Sequence, residues 1–196
     1  MELFAYSFCP IGNKWRILLK QNNIDFEHIV VNNYKDYVKY SEFLLQLPYI
    51  KFENKKKIIF INNSVNFYNF LKDTSGTQNF LVNTFFADIK VQNLEFYFDS
   101  NFFHQIFYAL LRFDLKNDDS FNCSTKIADF CDFWNKHFVS YDWAQSDYTI
   151  NDISLFTSLA MLDHYQQIRW YDYKNLKNFY SKISSKKEFQ FIFRSS

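Results

Sequence analysis

Met1–Tyr6 is a short apolar-alternating run that reads as a strand, and Phe26–Val31 reads as a second. A period of two is that of a strand with one buried face. Between these runs the pattern changes. Ile17, Leu18 and Leu19 share the apolar side of an amphipathic helix predicted over Gly12–Asn22. A short helix is predicted over Tyr34–Leu45. Pro48–Phe52 and Lys57–Ile61 read as strands joined through Glu53-Asn54-Lys55-Lys56, which has the polarity of a hairpin turn. Ser64–Leu71 reads as a helix capped by Asn63 or Ser64, whose side chains can accept from free N–H groups of the first turn.

Asp73-Thr74-Ser75-Gly76-Thr77 concentrates turn-forming residues and predicts a linker. Beyond it the pattern is helical alone. Segments are predicted over Gln78–Phe98, Phe102–Leu115, Ser124–His137, Ile150–Tyr165 and Tyr173–Ser184. Thr149 followed by Asp152 has the form of a capping box, in which each side chain reaches the other's backbone N–H. Ile153, Phe156, Leu159, Ala160 and Leu162 then approximate a buried stripe. The expected organisation is an α/β unit over 1–72, a linker over 73–77 and an all-α unit over 78–196.

Composition narrows the function classes. The 196 residues are 48% hydrophobic and 22% charged, enough apolar surface for a core and unlike a disordered chain. The 26 Phe and 14 Tyr read as compositional drift, with the clusters around Phe102 and Phe121 assigned to core. A formal net charge of +1 gives no field that would recruit nucleic acid or an anionic membrane. The N-terminus lacks the basic start and long apolar run of a signal peptide, and no segment has the ~20 apolar residues of a membrane helix. Three cysteines without framework spacing fit a reducing compartment, so a cytoplasmic protein is expected. His28, His104, His137 and His164 form no metal spacing, and no metal is expected.

Candidate chemistry centres on Phe8-Cys9-Pro10-Ile11-Gly12. A cysteine between a strand and a helix start meets unpaired N–H groups and the positive end of the helix dipole, both of which favour a thiolate. Proline in the first helical turn loses no hydrogen bond. Gly12 stands where a Cys-x-x-Cys pair would have its second sulfur, so a dithiol route is excluded. Lys14 and Arg16 follow; they can raise the local potential, but the reading preferred for each is a solvated surface position. Lys55-Lys56-Lys57 is likewise read as solvated. Cys123 and Cys131 match no metal spacing and are read as structural.

Several segments carry a resemblance to a known family: Cys9-Pro10 followed by Lys14 and Arg16, Asn23–Glu27, Gln46-Leu47-Pro48-Tyr49-Ile50, Asn63-Ser64, Asp152–Phe156 and Ile168-Arg169-Trp170. Their order and spacing resemble the glutathione transferase superfamily over essentially the whole chain, and within it the two-domain bacterial glutaredoxin 2. The resemblance implies a thioredoxin-like α/β domain followed by an all-α domain. It implies Cys9 as the catalytic thiol, a cis peptide bond before Pro48, and glutathione as co-substrate. Phe8, Pro10, Leu47, Pro48, Asn63 and Ser64 are then the glutathione-binding positions. Backbone groups of Leu47 would pair with the cysteinyl part, and Ser64 with the γ-glutamyl carboxylate. Asn63 stands where the family has an acid, so the γ-glutamyl ammonium lacks its counter-charge there. The implied activity is glutathione-dependent thiol–disulfide exchange on glutathionylated or disulfide substrates by a monothiol route. Its rivals are a cysteine-type, omega-like glutathione transferase and a non-catalytic binding protein on the same fold. A monomer is expected over a homodimer.

Overall fold

The computed structural model describes residues 1–31, 36, 47–54, 57–75, 80–111, 123–187 and 189–193. Apart from Asp36, the predicted helix over 34–45 lies outside them, as do residues 76–79 and the cluster around Phe121. The first unit is built from β1 (Glu2–Ala5), α1 (Pro10–Gln21), β2 (Glu27–Val30), β3 (Tyr49–Asn54), β4 (Lys57–Ile61) and α2 (Ser64–Ser75). Its four strands lie in the order β2-β1-β3-β4. β1 runs parallel to β2 and antiparallel to β3, and β3 antiparallel to β4. Parallel pairing of β1 with β2 needs a crossover, which α1 supplies. Leu3, Phe4 and Ala5 are buried. Phe4 stacks on Tyr49 across the β1–β3 pair at 4.6 Å between ring centroids, an arrangement that adds about 1 kcal/mol to area burial.

The second unit holds α3 (Phe80–Ala87), α4 (Ile89–Phe96), a π-helix (Tyr97–Phe107) that runs on as α-helix over 108–111, α5 (Ser124–His137), α6 (Ile150–His164) and α7 (Lys174–Ser184). A 3₁₀ turn, Gln190–Phe193, follows. A mixed four-stranded sheet followed by helices matches the expected fold class.

Four expectations change. The helix predicted over 78–98 is broken at Asp88, whose extended backbone and side chain, accepting from the Lys90 N–H at 2.8 Å, start α4 afresh. The gap predicted after Phe98 is absent. Asp99, Ser100 and Asn101 continue the helix as one with wider turns, where Ser100 returns its hydroxyl proton to the Phe96 carbonyl at 2.7 Å. Asp73, Thr74 and Ser75, read as the start of a linker, close the last turn of α2, with the Thr74 hydroxyl donating to the Phe70 carbonyl at 2.7 Å. Finally, α6 has no exposed face over 150–162, because α1, α4 and α7 all pack on it; Asn151, Ser154, Thr157 and Ser158 are buried with the apolar stripe.

Such a helix must satisfy its polar groups internally. The capping box at its start is present as predicted. The Asp152 carboxylate accepts from the N–H groups of Thr149 and Ala144, each at 2.8 Å. Burial nevertheless lifts its pKa to about 6, against the lowering by these bonds. Asp152→Ala removes the cap and orphans two buried donors, with an expected cost of about 3 kcal/mol. The folded state holds the Asp152 proton more tightly than the unfolded chain, whose value is 3.8. Its contribution is therefore fully present below about pH 4 and lost as pH rises through 6, a fall on the order of 2–3 kcal/mol. Denaturant titrations across that window are expected to show this slope in the parent and its loss in Asp152→Asn.

Candidate functional site

Cys9 is the N-cap of α1, with Pro10 at the first helical position. Its Sγ accepts the Gly12 N–H at 3.3 Å, and its N–H closes a turn to the Tyr6 carbonyl at 3.1 Å. These bonds explain the local fold, since β1 ends at Ala5 and the sulfur starts the helix. Pro48 comes alongside: Tyr49, the residue after it, pairs with Phe4 of β1, and the Leu47–Pro48 bond is cis. Leu47 and Pro48 are both buried at this strand start. Ser64 opens α2, and the buried Trp15 indole N–H donates to its hydroxyl at 3.3 Å. Asn63 is the cap of that helix. Its Oδ1 accepts the Asn66 N–H at 2.9 Å and its carbonyl the Phe67 N–H at 3.0 Å. Phe8 lies half-buried with its ring stacked on His164 at the end of α6, 3.4 Å between centroids. The structure thus places Cys9 and Pro48 on adjacent chain segments and ties Ser64 to α1 through Trp15.

The state of the thiol departs from expectation. Cys9 has no exposed surface, and burial pushes the thiol up to about 12, although the Gly12 and Ile11 N–H groups and Lys14 each lower it. The helix-start argument holds for sign and fails on magnitude, because taking an anion out of water costs more than two backbone donors return. In this conformation Cys9 is a thiol.

Lys14 is the larger correction. It is 1% exposed, with its ammonium on Glu95 of α4 and, at 2.5 Å, on Asp99 of the π-helix. Glu95 also accepts from the Tyr68 hydroxyl and, at 2.6 Å, from the Ser154 hydroxyl. Burial opposes the Lys14 charge, but Asp99 and Glu95 outweigh it and hold the ammonium protonated above its usual range. Burial raises the Glu95 carboxyl while Lys14 lowers it. Arg16 is buried as well, donating to Asn13 Oδ1 at 2.8 Å and lying over the Phe191 ring. Burial brings its pKa down to about 10.

Asn63, Ser64, Tyr68, Glu95 and Asp99 border one cavity of about 480 Å³, between α2 and α4 with the π-helix. Two carboxylates, Glu95 and Asp99, thus stand on the second unit's side of the space that Asn63 and Ser64 border. Glu95, Asp99, Tyr68 and Ser154 were not singled out from the sequence. The available signals are faint: one acid, Glu95, within the apolar run Leu94–Phe98 and a second, Asp99, directly after it, and hydroxyls at 154, 157 and 158 inside a helix otherwise fit for burial. Cys123 and Cys131 are buried free thiols, as their structural reading requires. Among the described residues no group of three or more His, Cys, Asp or Glu is placed to hold a metal, and no helix is long and apolar enough to cross a membrane.

The sequence matches no protein-family model and no curated protein. The structure does find likenesses. A glutathione S-transferase from Sinorhizobium meliloti 1021 superposes with a TM-score of 0.79 at 14% identity, over 100% of this chain and 92% of that one. A glutathione S-transferase from Methylobacillus flagellatus with GSH bound gives 0.73 at 16%, over 97% and 98%. A maleylacetoacetate isomerase from Anaeromyxobacter dehalogenans with GSH in its active site gives 0.72 at 15%, over 97% and 93%. The chain has the glutathione transferase fold, a thioredoxin-like α/β domain followed by a helical one.

Proposed function

We propose that the chain is a glutathione-using enzyme of the cytoplasm, a monothiol thiol–disulfide oxidoreductase acting through Cys9. The observation that carries the reading is the juxtaposition of a helix-capping Cys9 with the cis bond before Pro48 and Ser64 at the start of α2. That arrangement offers a sulfur, a strand-start backbone and a helix N-terminus to a peptide bearing a thiol and a carboxylate. Phe8, Pro10, Leu47 and Asn63 would line the same ligand. GSH bound in neighbours of the same fold supports glutathione as co-substrate.

In the proposed reaction the Cys9 thiolate attacks the glutathionyl sulfur of a mixed disulfide. A Cys9–glutathione disulfide forms, and the substrate sulfur leaves as a thiolate that takes up a proton. A second glutathione thiolate then attacks the glutathionyl sulfur, releasing glutathione disulfide and Cys9. Substrate is reduced and two glutathiones end as one disulfide, with no second protein thiol needed. The burial of Cys9 requires that the sulfur be uncovered before the first attack. Cys9→Ser is expected to abolish deglutathionylation of a glutathionylated test protein while glutathione binding persists. Unchanged activity in Cys9→Ser removes this mechanism.

The thiol raised to about 12 favours a second reading, a binding protein or a transferase in which Cys9 is not the nucleophile. Glutathione binding without deglutathionylation, together with unreactive Cys9, selects it.

A further inference from the structure

Another cavity, of about 410 Å³, lies on the other side of the helix that carries Glu95 and Asp99. Those two acids turn towards Lys14 of α1. Leu94, Tyr97 and Asn101 turn instead towards α5 and enclose this space with Phe130, Phe133 and Trp134. It shares no lining residue with the cavity at Asn63 and Ser64. Small-molecule sites have volumes of this order and walls that are mainly apolar and aromatic. Phe102 and Phe130 meet along the seam at 4.7 Å between ring centroids. Lys126 and Asp129, three residues apart on α5, are exposed at the rim with opposite charges, so the space offers a ligand no net charge.

Two donors of this wall have no acceptor among the described residues. Trp134 is 2% exposed, and its indole N–H is buried without a hydrogen-bond partner. The rings packed on Trp134 are those of Phe98, Phe130, Phe133, His137 and Phe138. Of these only His137 has ring nitrogens, and its Nε2 is bonded to the Trp143 carbonyl at 2.8 Å. The hydroxyl of the half-buried Tyr97 likewise makes no hydrogen bond to the described residues. A buried donor left unpaired costs free energy, and folded proteins keep few of them.

We propose that this cavity binds an uncharged aromatic compound bearing a carbonyl-type acceptor. Its rings would lie among Phe102, Phe130 and Phe133, and its oxygen would accept from Tyr97 and Trp134. Phe133, 62% exposed and edge-on to Trp134 at 5.2 Å, is the ring that yields as the compound enters. Aromatic walls favour a ring compound, the balanced rim an uncharged one, and the two unpaired donors an oxygen with free lone pairs. The inference depends neither on Cys9 nor on glutathione.

The probe is benzophenone, a two-ring ketone that inserts into adjacent C–H bonds under near-ultraviolet light. The full chain is irradiated at increasing benzophenone and digested, and peptide mass spectrometry locates the adducts. Saturable labelling is expected within 94–106 and 126–134, unchanged by excess glutathione and unchanged in Cys9→Ser. Tyr97→Phe and Trp134→Phe keep a ring and remove one donor each. Each is expected to raise the half-saturating concentration about fivefold, the size of one hydrogen bond. Asn101→Trp fills the space from its exposed rim and is expected to abolish labelling there. Labelling that does not saturate, that falls elsewhere or that glutathione displaces overturns the inference. So does saturable labelling at this cavity with the same half-saturation in both donor variants. A shift in one donor variant alone keeps the site and assigns the oxygen to that donor. If Trp134→Phe fails to fold, Tyr97→Phe and Asn101→Trp decide.

Discussion

Lys14→Met is expected to destabilise the protein by about 3–5 kcal/mol at neutral pH, the range for removing one partner of a buried ion pair. Lys14 and Glu95 are 1% and 2% exposed, so the Glu95 carboxylate left behind has no water to replace the lost ammonium. The penalty is a desolvation penalty, and it follows protonation. Burial already raises the Glu95 carboxyl, and losing Lys14, which lowers it, raises it further. Acidification therefore lets the variant neutralise Glu95, so its deficit against the parent is expected to shrink as pH falls. Urea titrations of parent and variant at two pH values measure this. Glu95→Gln leaves Lys14 and Asp99 as a matched pair and is expected to cost less. If Lys14→Met costs no more than a surface substitution, within about 0.5 kcal/mol, the ion cluster does not hold α1 against α4 and the π-helix.

Gly12→Cys, the change that would restore a dithiol motif, is expected to cost about 3 kcal/mol and to form no working pair. A Cβ at position 12 would lie 2.6 Å from the Ala5 Cβ, closer than such carbons approach. Ala5 belongs to β1 and cannot swing away, so strand and helix must separate. Replacing glycine by alanine in a helix returns at most about 1 kcal/mol, so the clash wins. Gly12→Ala isolates that steric part and should carry most of the cost. Thermal or urea melts of Gly12→Ala and of Ala5→Gly with Gly12→Ala check the mechanism. The double change is expected to recover most of the loss, because the two positions share one contact. If Gly12→Cys folds at parental stability and cycles as a dithiol, the packing argument is wrong.

These two positions mark what could be read beforehand. Gly12 was legible as the missing second sulfur, but the close approach to Ala5 that requires glycine there is a fact of the β1–α1 packing. Helical periodicity gives one buried face, which Ile17, Leu18 and Leu19 claim, so the sequence predicts a solvated Lys14. Yet the nine residues of α1 found buried include Asn13, Lys14, Trp15 and Arg16, since the helix is covered by the sheet unit on one side and by α6 and the π-helix on the other. The same sandwiching hides the polar residues of α6. Asp88 gives little local signal as a helix start, because the apolar run on either side of it reads as continuous.

Local chemistry is enough for the order of the described strands and helices of the first unit, a cap at Asn63 or Ser64, the Thr149–Asp152 box and the position of Cys9 at a helix start. Each depends on side chains within a few residues of one another. The cis bond before Pro48 was expected through the family resemblance alone. Tertiary structure decided the rest: the charge state of Cys9, the burial of Lys14, and the supply of acid to the Ser64 cavity. The partners of Lys14 lie 81 and 85 residues away. Desolvation sums over every segment that packs around a group, so no local window of sequence contains it.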